Sequence, residues 1–272
     1  MPELPEVEVV RRQISEKIQM QPTIEKIIFH RGDLRDPIPK RKLKNLEGAK
    51  VVNIRRRAKY LIFQTDRGCI LSHLGMSGTW TMIPVGEFQK KKHDHIEIHL
   101  SSQIILVFND PRRFGIVDFM QSETDHPKLN VLGPEPWSED VSPRYLLNQF
   151  KKKSSCVKVA LMNPEIVVGI GNIYASEILF ACKIRPLKKS HRITMSDCQK
   201  IIRETRRILE EAIDKGGSPL SDFHGAQGKA GEFQTLHRVY GRAGENCYLC
   251  DDVIQKKLVS GRSTFWCSGC QS

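Results

Sequence analysis

The 272-residue sequence contains no apolar run long enough to span a bilayer, and its first residues carry carboxylates where a signal peptide would carry cations and an apolar stretch. The first absence excludes a helical membrane anchor and the second argues against secretion, so a cytoplasmic protein is expected. No internal repeat or low-complexity tract occurs, which excludes a solenoid or a disordered scaffold. Cysteine is scarce until the end of the chain. Of eight cysteines, Cys69, Cys156, Cys182 and Cys198 stand alone and read as small core residues in a reducing compartment. The other four fall in the last 26 residues as two close pairs. Acidic charge is in deficit: the formal net charge is +12 and the pI about 9.4. Up to position 130 there are 22 basic and 16 acidic residues, beyond it 21 and 15, or +6 on each side. A polyanion gripped by two basic halves fits that split better than a single basic tail does.

The length and a hydrophobic content of 39% suit two ordinary domains. From residue 5 to about 19, Val7, Val10, Ile14 and Ile18 recur at the spacing of a helix that buries one face. From Val51 the period changes to two, and residues 51–55, 60–64, 70–73, 96–100, 104–108 and 116–119 read as strands of an antiparallel sandwich. Leu132-Gly133-Pro134-Glu135-Pro136 cannot hold regular structure and marks a boundary. Beyond it, helices are expected at 142–152, 157–164, 173–182 and 197–215. The last should start from Ser196 as N-cap with Gln199 in the capping-box position and stop at Gly216-Gly217.

The strongest chemical signal is Cys247-x-x-Cys250, sixteen residues, then Cys267-x-x-Cys270. Thiolates spaced two apart can turn onto one tetrahedral ion, so a structural zinc site is expected, with a hairpin from 253–259 and 263–266 between the pairs. Four protein ligands close the shell and argue against a catalytic metal. Arg262, beside Gly261 at the hairpin tip, projects toward a phosphate or is a solvated turn residue. Gly169-x-Gly171 makes a turn before a helix with Asn172 placed as N-cap, either a phosphate seat or an ordinary connection. The runs Arg55-Arg56-Arg57-Ala58-Lys59 and Lys90-Lys91-Lys92-His93 are of a kind that usually forms solvated faces. Asn109-Asp110-Pro111-Arg112-Arg113-Phe114-Gly115 sets two arginines and a ring on a Pro/Gly-bounded turn, the equipment for grasping phosphates and wedging a ring into a base stack. Met76, in Leu74-Gly75-Met76-Ser77-Gly78, is a second apolar candidate; both it and Phe114 have the alternative of the core. His93-Asp94-His95 has metal-like spacing without a third ligand, so both histidines are expected as strand or surface residues. Finally, removal of Met1 from Met1-Pro2-Glu3-Leu4-Pro5-Glu6 would expose a secondary amine next to a carboxylate at the start of a helix. Such an amine has a lower pKa than lysine and can form an iminium with a sugar carbon. A disordered Pro-flanked tail is the alternative.

Together these blocks resemble the bacterial formamidopyrimidine-DNA glycosylases, from Pro2–Glu8 through Arg56–Leu61, His73–Gly78, Asp110–Gly115, Leu132–Pro136 and Gly169–Tyr174 to Val239–Arg242 and the finger. The resemblance implies an α+β fold: an N-terminal antiparallel β-sandwich domain with a flanking helix (1–131), a linker (132–138), a helix-two-turns-helix domain with a lesion-capping loop (139–235) and a zinc-finger hairpin (236–272). It implies Pro2 as nucleophile at C1′, Glu3 as acid/base partner, Glu6 as support, and Lys59 near the lesion and its phosphate. His73, Asn172 and Arg262 would grip phosphates, with Arg262 counted among the catalytic groups. Met76, Arg112 and Phe114 would fill the gap left by an extruded nucleotide, with His93, Arg113, Lys158 and Tyr240 as further DNA contacts. The loop from about Ser218 to Tyr240, with Gly225–Gly231, would close over an oxidised purine. The reaction implied is base removal followed by β,δ-elimination on damaged double-stranded DNA, by a monomer that joins the nucleoid while working. Departures from the family pattern are Val9-Val10, Asn163-Pro164, and His237 in a strand position that is usually apolar. An endonuclease VIII-like oxidised-pyrimidine glycosylase and a non-catalytic zinc-finger DNA-binding protein are the competing readings.

Overall fold

The computed structural model describes residues 1–18, 20–218 and 237–272, and its contacts divide the chain into two units. The first is Met1–Asn130 with the segment that begins at Lys215; the second is Val131–Asp214 with the segment that ends at Ser272.

The first unit opens with α1 (Leu4–Lys17), capped by Glu3 in extended backbone, with Pro5 in the first turn where a missing N–H costs nothing. There follow β1 (Ile24–Phe29), α2 (Lys40–Lys44), β2 (Val51–Arg57), β3 (Tyr60–Thr65), β4 (Gly68–His73), β5 (Thr79–Pro84), β6 (Asp94–Leu100), β7 (Ile104–Asn109), β8 (Ile116–Met120) and α3 (Pro127–Asn130). The strands form two antiparallel four-stranded sheets, ordered β1-β6-β7-β5 and β2-β3-β4-β8. Val7, Val10 and Ile14 of α1 join Ile54, Leu61, Phe63 and Ile70 of one sheet and Ile27, Trp80, Ile98 and Phe108 of the other in a single core. Trp80 is fully buried, its ring 5.2 Å from Phe63 and 5.1 Å from Phe108, and its indole N–H donates to Ser72 Oγ at 2.9 Å. That bond satisfies the polar end of the largest core side chain. The six strands expected from the sequence all form. β1, β5, α2 and α3 were not expected. The pairing of β1 shifts between Ile24 and Lys26, so its residues never alternate. β5 is an edge strand ending at Pro84, where no ladder N–H is needed. α2 is five residues of mostly basic chain with one buried side chain, Leu43.

The second unit holds α4 (Pro143–Lys151), α5 (Val157–Leu161), α6 (Asn172–Ala181), α7 (Met195–Asp214) and a hairpin of β9 (Ile254–Val259) and β10 (Arg262–Cys267). Leu146, Phe150, Leu161, Leu179, Ile201 and Leu209 are buried where the helices meet. Three sequence expectations need correction. α7 starts two residues before its expected first residue: the Thr194 hydroxyl accepts the Asp197 N–H at 3.1 Å and the Asp197 carboxylate accepts the Thr194 N–H at 3.1 Å, so the box is Thr194/Asp197 and Ser196 lies inside the helix. α5 ends at Leu161, short of 164, because Asn163 precedes Pro164 and is kept out of helical backbone. Cys156 is half-buried at the N-cap of α5, unlike the buried Cys69, Cys182 and Cys198. α7 stops as expected, with Gly216 and Gly217 at φ of 75° and 81°. Among the described residues no helix is long and apolar enough to cross a membrane.

Candidate active site and nucleic-acid interface

At the amino terminus Pro2 and Glu3 are both buried, Glu3 to 1% exposure. The Glu3 carboxylate accepts the Glu6 N–H while Glu6 Oε2 accepts the Glu3 N–H at 2.7 Å, a capping box that fixes the first turn of α1. The second oxygen of Glu6 accepts the Ser218 N–H at 2.8 Å. Gly217 lies so close that a Cβ there would stand 3.1 Å from the Glu6 side chain. Glu6 therefore fastens the amino terminus to Gly217-Ser218, a partner the sequence did not reveal. The expected capping loop falls mainly on residues 219–236, outside the described residues.

The basic run after β2 begins is not a solvated face throughout. Arg56 is 11% exposed; its Nε donates to Glu8 at 3.1 Å and its Nη1 to the Ala58 carbonyl at 2.9 Å, while Arg55 pairs with Glu123 at 2.7 Å. Lys59 sits on the two-residue turn from β2 to β3, after Ala58 at φ +55°. Its neighbour Tyr60 pairs across the sheet with His73, the two rings edge to face at 4.8 Å. Burial, then the Lys59 and Arg35 cations, push the His73 imidazole down to about 4. Its Nδ1 accepts the Gly75 N–H at 2.9 Å, so the neutral ring carries its proton on Nε2 and presents a donor.

The loops Leu74–Gly78 and Asp110–Gly115 are locked together by Asp110, which is fully buried. Its Oδ1 accepts from Ser77 Oγ at 2.6 Å and its Oδ2 from the Gly115 N–H at 2.8 Å, while Ser77 Oγ accepts the Arg112 N–H at 3.1 Å. His95 Nε2 donates to the Asp110 carbonyl at 2.8 Å. Gly75, at φ +63°, lets the loops touch: a Cβ there would lie 2.4 Å from the Phe114 backbone. What the contact leaves outside is Met76 at 36% exposure and Phe114 at 45%, with the Arg112 guanidinium 5.2 Å from the Phe114 ring. Both apolar side chains are thus on the surface, not in the core. Arg113 is exposed at φ +60°, and half-buried His93 accepts the Asp110 N–H at its carbonyl, 3.1 Å away. The sequence named Asp110 only as part of its motif and gave it no locking role; an Asp before Pro in a turn was the available signal. His95 lies in β6, a strand residue as expected.

In the second unit Asn172 is the first residue of α6 and Gly171 its N-cap, a correction to the expected cap. The Asn172 side chain serves elsewhere: Oδ1 accepts from Lys158 Nζ at 2.6 Å and Nδ2 donates to the Ser263 carbonyl at 2.9 Å. Lys158 is 1% exposed, and its ammonium also donates to the Ser263 carbonyl at 3.0 Å and to Thr264 Oγ1 at 2.8 Å. Its ammonium thereby joins α5, α6 and β10. Next to Ser263, Arg262 is exposed at the end of the Ser260-Gly261 turn. Tyr240 is half-buried, its ring 5.1 Å from Phe265 and 5.7 Å from His237. Glu177, unremarked in the sequence, is 4% exposed and accepts the N–H groups of Arg238 (2.9 Å), Val239 (3.0 Å) and Tyr240 (2.8 Å). Burial pushes its carboxyl above the ordinary range despite those three donors. A lone carboxylate among the apolar residues of α6 was the signal. His237 lies outside any strand; it is buried, and burial pushes its imidazole down to about 4.

The sulfur atoms of Cys247, Cys250, Cys267 and Cys270 all lie within 4.8 Å of one another, with pairs at 3.3 and 3.8 Å. Four thiolates on an ion at about 2.3 Å would stand about 3.8 Å apart, so this donor set fits a structural zinc site. The Leu249 N–H donates to Cys247 Sγ at 3.4 Å, and Gly269 passes so near that a Cβ would meet Asp252 at 2.5 Å and Cys250 Sγ at 3.1 Å. Buried Gln271 accepts the Cys267 N–H and donates to the Ile184 carbonyl, tying the finger to the chain beyond α6.

The family model for the formamidopyrimidine-DNA glycosylase N-terminal domain matches residues 1–117, and that for the formamidopyrimidine-DNA glycosylase H2TH domain residues 132–224. A formamidopyrimidine-DNA glycosylase of Bdellovibrio bacteriovorus is 46% identical over 271 residues, covering 100% of each chain. The Lactococcus lactis Fpg in complex with an abasic-site DNA superposes with a TM-score of 0.91 at 32% identity, covering 99% of each chain. A MutM bound to DNA containing carbocyclic 8-oxo-G gives 0.90 at 33% identity over 100% of both chains. On both domain models and on identity across its whole length, the chain belongs to the formamidopyrimidine-DNA glycosylase family.

Proposed function

We propose that this chain removes oxidised purines such as 8-oxoguanine and formamidopyrimidines from duplex DNA and then cuts the strand. The observation that carries the chemistry is the buried head of α1, where the Glu3–Glu6 capping box holds Pro2 in place. With Met1 removed, the Pro2 nitrogen sits at the positive end of α1, which disfavours its protonated form. It attacks C1′ as the glycosidic bond breaks and the base leaves with that electron pair and a proton. Glu3 is placed to move protons as the sugar ring opens to the Pro2 iminium. That iminium acidifies C2′; loss of the C2′ proton expels the 3′ phosphate, loss of the C4′ proton then expels the 5′ phosphate, and water frees the amine. A base must leave the stack before C1′ can be reached, at a cost of a few kcal/mol. The surface trio Met76, Arg112 and Phe114 is suited to fill the gap, and His73, Asn172 and Arg262 to hold phosphates. Family membership supports the same reading, because the two solved relatives named above were captured on abasic-site DNA and on DNA containing carbocyclic 8-oxo-G. The enzyme would act as a monomer in the cytoplasm, on the nucleoid.

The test is borohydride trapping on duplexes carrying 8-oxoguanine or thymine glycol, with intact mass before and after. A covalent adduct on Pro2 that favours 8-oxoguanine is expected, and Pro2→Gly should lose most cleavage while binding DNA normally. Preference for thymine glycol would instead mark an endonuclease VIII-like enzyme. Binding without an adduct would mark a non-catalytic protein, and full activity with Met1 retained would overturn the mechanism.

A further inference from the structure

Lys59 stands on the two-residue turn between β2 and β3. Ala58 is buried at φ +55°, where glycine or asparagine is the usual occupant. Arg56 holds the turn: Nη1 donates to the Ala58 carbonyl at 2.9 Å and Nε to Glu8 Oε2 at 3.1 Å. The two side chains are 11% and 13% exposed, and Arg11 grips the other Glu8 oxygen at 2.7 Å. Burial alone would raise the Glu8 carboxyl, but Arg11 and Arg56 outweigh it and hold it below the ordinary carboxylate range, so the pair is ionised at neutral pH. Glu8 projects from α1, the helix whose N-cap is Glu3.

We infer that Glu8 and Arg56 are positioning residues for Lys59, bracing its turn against the helix that carries Pro2 and Glu3. The inference rests on the glycosylase reading above and deepens it. One helix then sets both the nucleophile and the cation that addresses the lesion, so neither drifts relative to the other. Misplacement by about 1 Å costs up to roughly a hundredfold in rate.

The discriminating variant is Arg56→Lys, which keeps a charge opposite Glu8 but has a single nitrogen where the guanidinium uses two, Nε for Glu8 and Nη1 for the Ala58 carbonyl. Single-turnover excision from an 8-oxoguanine duplex should slow roughly ten- to hundredfold, with duplex affinity and melting temperature unchanged. Glu8→Gln, which removes the charge and keeps the shape, should slow excision likewise, with a lowered melting temperature because Arg11 and Arg56 lose their carboxylate, and stands in if the lysine variant does not fold. Lys59→Ala should slow excision as well, and the Arg56→Lys/Lys59→Ala pair should be no slower than Lys59→Ala alone. Wild-type excision by Arg56→Lys, or losses that multiply in the double variant, would overturn the bracing role while leaving the glycosylase reading intact. Absence of any borohydride adduct in the unaltered enzyme would remove both.

Discussion

His73 and His237 are held neutral in the folded chain, each with an imidazole pushed down to about 4 by burial. In the unfolded chain a histidine titrates near 6.5, so between those values the unfolded state binds more protons than the native one. Stability from these rings is therefore complete above about pH 6.5 and is lost as the pH falls toward 4, roughly 1–2 kcal/mol per ring at pH 5. Urea midpoints should drop between pH 7 and pH 5, and His237→Gln should make that drop shallower. A variant whose midpoints fall as steeply as the parent's would contradict the assignment. Glu8 acts in a lower window, since its depressed carboxyl is lost only below the ordinary carboxylate range. At this scale the sequence shows what is local. The Glu3–Glu6 box spans three residues and was legible as a Pro-led acidic helix start. The second bond of Glu6 reaches a residue 212 positions on, and that of Lys158 to the Ser263 carbonyl spans 105. No pattern along the chain encodes either.

Helices were legible where one face is buried with a clean period, as in α7, and β3 and β4 as short apolar runs bounded by turns. They were illegible where the period is broken, as in β1 with its shifted register. Cap choice failed for the same physical reason at α6 and α7: several polar residues lie near each start, and only the three-dimensional partners decide. Asn172 gives its amide to Ser263 and Lys158, so the glycine before it becomes the cap. The finger was legible because its ligands are spaced by chemistry alone. Its attachment was not, for that depends on Lys158, Asn172 and Gln271. Removing zinc with a chelator, or making Cys267→Ser, should unfold the β9–β10 hairpin and free Arg262. Affinity for damaged duplex should then fall by roughly tenfold or more, measured by titration, while α4 and α7 keep their helicity. Unchanged affinity in the zinc-free protein would separate the finger from DNA binding.

For the molecule as a whole, the formal charge of +12 gives no count of phosphate contacts. The cations named above as facing the DNA are Lys59, Arg112, Arg113 and Arg262, each able to meet at most one phosphate; His73 is neutral and releases no counterion. Four contacts give a slope of about −3.6 in log K against log salt, or roughly a hundredfold loss between 50 and 200 mM. Affinity measured across that range at fixed pH checks the count. A slope near zero would mean that charge plays no part, and one steeper than about −9 would mean that cations beyond these dominate.

Lys158 has no place in that sum. Its ammonium donates to Asn172, Ser263 and Thr264, and it is 1% exposed. It therefore works as a rivet between helix and hairpin, and one unit of the positive charge written in the sequence is never offered to the solvent.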